Sequence, residues 1–332
     1  MSRQPRATTL ALVLAVAVVA LQALLVPLFA GPAANLAPRD LPIAIAGPAP
    51  AANQLAAQLA AARPGAFDIA VVADADAAIR NRDVYGAIVL GADGPALHVA
   101  SGASPTVATL LTQASAALGQ GEPAPVVDVV PTDADDPRGA GFGAGFLPLA
   151  MTALIAGILT FLVVRRRAAR LVALGTFGVL AGLTGAAVQQ YWLGVLPGDY
   201  LANAAVLGLF ALAVSGTVAG LAAVLDRAGL ALGAVTVFLV GNALSGVSSA
   251  AELLPQPWGA VGQFLPIGAG STLLRSVAYF DGNGGAPAVA VLGAYAVGGL
   301  LLVAAGRRGL ARSAAEAAPS VSGPEREPAL VG

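Results

Sequence analysis

Long runs without a charged residue alternate with short charged clusters along most of the chain. The uncharged runs cover 7–38, 139–164, 171–198, 200–225, 228–251, 253–274 and 282–306. A membrane-spanning helix needs about 20 predominantly apolar residues. Six of the runs contain such a stretch, at 9–29, 143–164, 171–192, 201–225, 229–249 and 286–305. The seventh, 253–274, holds Pro255, Pro257 and Pro266 together with Gln256, Gln263 and several glycines. A proline in a helix interior costs about 3 kcal/mol, so this run is expected to be an outer loop or a re-entrant piece. The first stretch is longer than the core of a secretory signal, and Leu28-Phe29-Ala30 is a poor cleavage site. It reads as an uncleaved anchor.

Residues 31–142 have a different rhythm. Short apolar runs at 41–47, 67–72, 84–90, 96–100 and 125–130 read as strands. Between them 51–63, 74–82 and 105–118 read as helices, with Pro64-Gly65 stopping the first. Strands alternating with helices predict a small α/β domain. The fold expected is therefore an α-helical polytopic membrane protein of six transmembrane helices, with one α/β extracytoplasmic domain between helices 1 and 2. The divisions are 1–30 (cytoplasmic tail and first helix), 31–142 (outer domain), 143–308 (five-helix membrane domain) and 309–332 (a disordered cytoplasmic tail rich in Ala, Pro, Ser and Glu).

Arginine placement sets the orientation. Arg3 and Arg6 precede the first stretch, Arg165, Arg166, Arg167 and Arg170 separate the second and third, Arg227 separates the fourth and fifth, and Arg307, Arg308 and Arg312 follow the sixth. Positive residues of short loops stay inside, which puts both termini in the cytoplasm of a cell-membrane protein and 31–142 outside. The outer domain carries 11 acids and 5 arginines, and the rest of the chain 12 arginines and 7 acids. The acidic balance of the domain reads as a solvated surface.

Composition then removes whole classes of chemistry. The chain has 332 residues, 57% of them hydrophobic and 11% charged, where a soluble domain carries about 25% charged residues. Cysteine is absent, and all 17 basic residues are arginine. Thiolate chemistry, a P-loop lysine and Schiff-base catalysis are thereby excluded. The one histidine, His98, reads as a strand residue, and Asp133, Asp135 and Asp136 read as linker because no closing glutamate follows at EF-hand spacing. No cofactor, metal or nucleic acid is expected, and no nucleophile–base set points to an enzyme. The partner dictated by composition is the lipid bilayer.

The six stretches contain no Asp, Glu, Arg or His. Proton-driven transport generally uses an intramembrane carboxylate or histidine relay, so any transport energy is expected from a separate subunit. The polar residues present include Gln189, Gln190 and Asn203 near the outer ends of the third and fourth stretches, and Asn242 in the fifth. They are candidates to line a substrate path, or simply to hydrogen-bond between helices. Arg165, Arg166, Arg167 and Arg170 are candidates for coupling to an ATPase, or plain positive-inside anchors. Gly178 with Gly182, Gly216 with Gly220, and Gly241 with Ser245 have the four-residue spacing that lets helices approach closely. In the loop before the last stretch, Trp258, Arg275, Tyr279 and Phe280 are candidates for an interfacial anchor or a gate. Leu273, Leu274, Val277 and Phe280 form the apolar stripe of a helix over 271–280, and Arg275 falls off it, free to reach lipid phosphate or the domain's acids.

The order of elements, with Leu41-Pro-Ile-Ala-Ile-Ala-Gly47, Val84-Tyr-Gly-Ala-Ile-Val-Leu90 and Phe264-Leu-Pro-Ile-Gly-Ala-Gly-Ser-Thr-Leu-Leu-Arg-Ser-Val-Ala-Tyr-Phe-Asp-Gly282, resembles the type-2 ABC exporter permeases. The branch it is similar to is that of the phage infection protein, YhgE/Pip-like. The resemblance implies a permease subunit moving an amphiphilic or hydrophobic substrate at the cell envelope, driven by a separate ATPase subunit and assembled as a homodimer or paired half-permease. The alternative expectation is a non-transporting receptor or scaffold whose outer domain binds a partner.

Overall fold

The structure, a computed structural model, describes residues 4–115 and 124–306. The readings of Arg3, Arg307, Arg308, Arg312, the tail after 308 and the end of the 105–118 helix lie outside them. The chain is mostly helical with one small sheet. Helix α1 is Gln4–Ala34; α2 (Ala49–Ala62), α3 (Ala75–Arg80) and α4 (Pro105–Ser115) alternate with strands β1 (Leu41–Ala46), β2 (Phe67–Val72), β3 (Gly86–Gly91), β4 (Gly94–Val99) and β5 (Val126–Asp128). Then follow α5 (Ala140–Val163), α6 (Arg167–Ala187), α7 (Tyr200–Leu225), α8 (Arg227–Gly233), α9 (Gly241–Leu244), α10 (Trp258–Gln263), α11 (Pro266–Phe280) and α12 (Ala286–Ala305). π turns at Val188–Trp192 and Ala234–Val240 extend α6 and join α8 to α9.

Six helical segments are long and apolar enough to cross a membrane: Ala7–Ala34, Ala140–Val163, Arg167–Trp192, Tyr200–Leu225, Arg227–Leu244 and Ala286–Ala305. This is the signature of a multi-pass membrane protein. The fifth stops at Leu244, short of the expected 249, because Gly246 turns the chain at φ 64° and Ser245 folds back to donate to the Asn242 carbonyl at 2.9 Å.

Helix α7 is the hub, packed against α5, α6, α8, α11 and α12. Its closest seams are made by glycine. A Cβ on Gly182 of α6 would sit 2.2 Å from the Ala204 carbonyl oxygen of α7, and one on Gly299 of α12 would sit 2.4 Å from the Gly216 carbonyl carbon. Two of the glycine pairs singled out by spacing therefore lie on these close contacts. Helix α1 is the opposite case, with its apolar side chains exposed along its length.

The sheet has strand order β2-β1-β3-β4-β5, with β3–β4 antiparallel and the other pairs parallel. Alternate residues of a strand face opposite sides. Leu41, Ile43 and Ile45 therefore join one core with Val107 and Leu111 of α4, while Ala44 and Ala46 join another with Ala78 and Ile79 of α3. Neither core is completed within 41–128. Ala250 and Leu253 close the first, and Phe280 closes the second. Leu253 is fully buried and Phe280 is 2% exposed, and each such side chain contributes about 1.5–3 kcal/mol by leaving water. The segment after α9 and the end of α11 are thus structural parts of the sheet region.

Candidate functional site

The sheet region and the apolar helices meet around a cleft of about 320 Å³. Its upper wall is the turn that follows α3. Asn81 ends that helix in the αR conformation, and Arg82 takes the left-handed conformation, at φ 63°. The reversal lets Arg82 and Asp83 donate their backbone N–H groups to Ile79 and Ala78. It sends the Arg82 side chain away from the sheet to α11. There Nη1 donates to the Thr272 carbonyl at 2.9 Å and to the Ser276 hydroxyl, with the guanidinium 5.6 Å from the Phe280 ring centroid. Tyr85 immediately precedes β3, and its hydroxyl donates to Oε2 of Glu252 at 2.8 Å.

The lower wall is α10, α11 and the start of α12. Proline at the first turn of α11 suits a helix start, because its missing N–H would be unpaired there anyway. One side of α11 is apolar and packs into the bundle, with Gly270 against the Phe210 ring and Leu274 fully buried. Thr272 donates to Oε1 of Gln263 at 2.7 Å, and Gln263 Nε2 donates to the Ser245 carbonyl at 3.1 Å. This side-chain chain locks α10 and α11 to the end of α9.

Arg275 is placed differently from the sequence expectation. It falls off the apolar stripe but is only 6% exposed. Its guanidinium stacks 4.6 Å from the Phe142 ring centroid, and Nη2 donates to the Val247 carbonyl at 2.7 Å. The polar side of α11 is covered by the start of α5 and the 245–252 segment, so it faces protein where the sequence suggested lipid or solvent. Burial, reinforced by the nearby Arg82 charge, lowers the pKa of Arg275 to about 10. Arg82 is also lowered, chiefly by desolvation, with Tyr85 and Glu252 opposing. Burial and then Glu252 raise Tyr85, and burial pushes Tyr279 up to about 12.

Among the described residues neither Arg82 nor Arg275 has a carboxylate within 4 Å; the arginine–carboxylate pair there is Arg80 with Asp76, which also hydrogen-bonds His98. Two guanidiniums and the Glu252 carboxylate therefore face one cleft, with the exposed Asp83 also at its lining. Apolar residues complete the lining: Phe264, Pro287, Ala288 and Val291.

The remaining candidates fall into three places. Gln189 and Gln190 sit on the π turn after α6, a rare geometry frequent at functional sites. Asn203 Nδ2 reaches Gln190 Oε1 at 3.4 Å and the Pro197 carbonyl at 2.8 Å, and Gln190 Nε2 donates to the Gly198 carbonyl at 2.7 Å. Oε1 of Gln189 and Oδ1 of Asn203 are buried without a protein partner. Gln190 and Asn203 thus tie down the 193–199 connection, while Gln189 Nε2 reaches back to the Gly185 carbonyl of its own helix at 3.4 Å. Asn242 lies elsewhere, on α9 beside α10 and α11. Of the loop aromatics, Trp258 is 52% exposed, Tyr279 is half-buried between Gly102 and Phe142, and Phe280 is in the sheet core. At the far end of the bundle, Arg170 donates to the Val164 and Phe161 carbonyls at 2.6 and 2.8 Å, and Arg167 to the Ala304 carbonyl at 2.9 Å. Both cap carbonyls at helix C-termini, where a cation is favoured; Arg165 and Arg166 are exposed.

Sequence reasoning missed Arg82, Tyr85 and Glu252. One signal was available: between Arg227 and Asp281 the only charged residues are Glu252 and Arg275, and both line this cleft. No protein-family model, no curated protein and no solved structure matches the chain.

Proposed function

We propose that this multi-pass membrane protein is a permease-like subunit of the cell membrane that moves an amphiphilic substrate. The sheet region lies outside and both termini lie in the cytoplasm. The system is type-2 ABC-exporter-like, and its energy comes from a separate ATPase subunit that engages the arginine-bearing side around Arg165 and Arg166. One observation supports the reading above the others: the cleft between the sheet region and the apolar helices is lined both by charged groups, Arg82, Arg275 and Glu252, and by apolar ones, Phe264 and Val291. That is the mixed chemistry an amphiphile needs. Positive residues at 165–170 and at 227 support the orientation. The six apolar segments suit half of an exporter, completed by a second copy or a paired half.

The test is affinity purification of the full chain from its native membrane in mild detergent. A nucleotide-binding subunit that co-purifies in stoichiometric amount, with ATPase activity stimulated by amphiphiles, is the expected result. Purification of the chain alone under conditions that preserve such complexes, with no transport on reconstitution, would contradict it and favour an envelope receptor or scaffold.

A further inference from the structure

Arg275 is an unusual cation for its surroundings. A guanidinium has five N–H donors. Nη2 of Arg275 is the only one of its nitrogens with a protein acceptor among the described residues. The residue is only 6% exposed, and it lines the cleft with a second guanidinium, Arg82. The one carboxylate that lines the cleft beside them without being exposed, Glu252, is engaged by the Tyr85 hydroxyl. Burying a cation without a counter-charge is costly; burial first, and the neighbouring Arg82 charge second, depress the pKa of Arg275, and Glu252 offsets this only at Arg82. An anion bridging them removes both costs, and the planar fork of arginine matches the oxygens of phosphate and carboxylate. A soluble anion would leave the apolar part of the lining uncovered. Val291 and Ala288 on α12 and Phe264, which is 69% exposed, continue the cleft as apolar surface.

We propose that Arg82 and Arg275 hold the anionic head of an amphiphile, a phosphate or carboxylate, with its apolar part lying against Val291 and Phe264. The proposal rests on the permease reading for its biological use, since it names the class of molecule that reading would move. The binding itself is a property of this cleft. Arg82 belongs to the turn after α3 and Arg275 to α11, so a bound head joins the sheet region to the membrane-side helices.

The experiment uses the full chain in non-ionic detergent, titrated with short-chain phosphatidic acid and read by native mass spectrometry. Diacylglycerol with the same tails and inorganic phosphate serve as the comparison probes. One saturable phosphatidic acid per chain is expected, with weak binding of diacylglycerol and weak competition by phosphate. Arg275→Gln and Arg82→Gln each weaken the binding about ten- to hundredfold, the worth of a charge-assisted hydrogen bond. Arg63→Gln, on the exposed end of α2, leaves it unchanged. Val291→Trp keeps both guanidiniums, fills the apolar wall and also weakens binding, which guards against a misfolded arginine variant; thermal unfolding of each protein checks the fold. Unchanged affinity in Arg275→Gln and Val291→Trp would overturn the proposal. Equal occupancy by inorganic phosphate would overturn the amphiphile and assign the guanidiniums to a soluble oxyanion. Phosphatidic acid binding that persists in a chain with no ATPase partner and no transport would sink the permease reading and leave this site standing.

Discussion

The Arg275 guanidinium lies 4.6 Å from the centroid of the Phe142 ring. Phe142 stands at the start of the second apolar helix and Arg275 in the second half of α11, so the contact fastens α11 to the bundle. Phe142 also meets Phe146 at 5.5 Å and Tyr279 at 6.4 Å between centroids. It is 2% exposed.

Replacing that ring should therefore cost more than its volume. Phe142→Ala is expected to destabilise the protein by about 3–5 kcal/mol and Phe142→Leu by less, because leucine refills part of the space but gives no cation–π face. Thermal unfolding in detergent measures both. Equal, small losses for the two variants would show that the ring contributes only as filler.

Tyr85 gives a pH prediction with a definite sign. Its folded pKa is raised above the ordinary value near 10 by burial and Glu252. A group raised in the folded state contributes stability that is fully present below its unfolded pKa and is lost as pH rises through the folded one. Tyr85 should therefore stay protonated in the folded protein at alkaline pH where a free tyrosine has already lost its proton. Titration followed at the tyrosinate absorbance should give superimposable curves for the native chain and Tyr85→Phe until unfolding begins. A missing step in the variant near pH 10 would contradict the buried Tyr85–Glu252 pair.

The α6–α7 seam predicts opposite outcomes for two glycines of one helix. A methyl at Gly182 would meet the Ala204 carbonyl oxygen at 2.2 Å and Gly208 backbone at 2.8 Å, whereas at Gly175 nothing lies within 4 Å. Gly182→Ala should destabilise by about 1–3 kcal/mol through forced separation of the helices. Gly175→Ala should be neutral or slightly stabilising, because alanine is the better helix former. Comparable losses at both positions would refute the close seam.

Much of this was legible in the pattern of the chain. The long apolar runs located the six long helices, and the short apolar runs of 31–142 located the five strands to within a few residues. The π turns were not legible, since Ala234–Val240 has the composition of any apolar helix. The cleft was not legible either, for a different reason. Arg82 and Asp83 look like ordinary polar residues after a short helix, and only the left-handed turn at Arg82 sends that side chain to α11. For Arg275 the amphipathic pattern held in part: Leu273, Leu274 and Phe280 of the apolar stripe are buried and Val277 is half-buried, but the off-stripe Arg275 and Ser276 are buried as well. Periodicity names the polar side of a helix, but not whether water, lipid or another part of the protein covers it.

The central claim is that the sheet region and the arginine-bearing 165–170 connection lie on opposite sides of the cell membrane, with the Arg82–Arg275 cleft on the outer side. The chain has no cysteine, so single cysteines report cleanly. Asp93 and Arg166 are both exposed. Intact cells carrying Asp93→Cys or Arg166→Cys are treated with a membrane-impermeant thiol reagent. Labelling at 93 in intact cells, and at 166 only after permeabilisation, is the predicted result. Labelling at 166 but not at 93 in intact cells, or equal labelling at both, would contradict it.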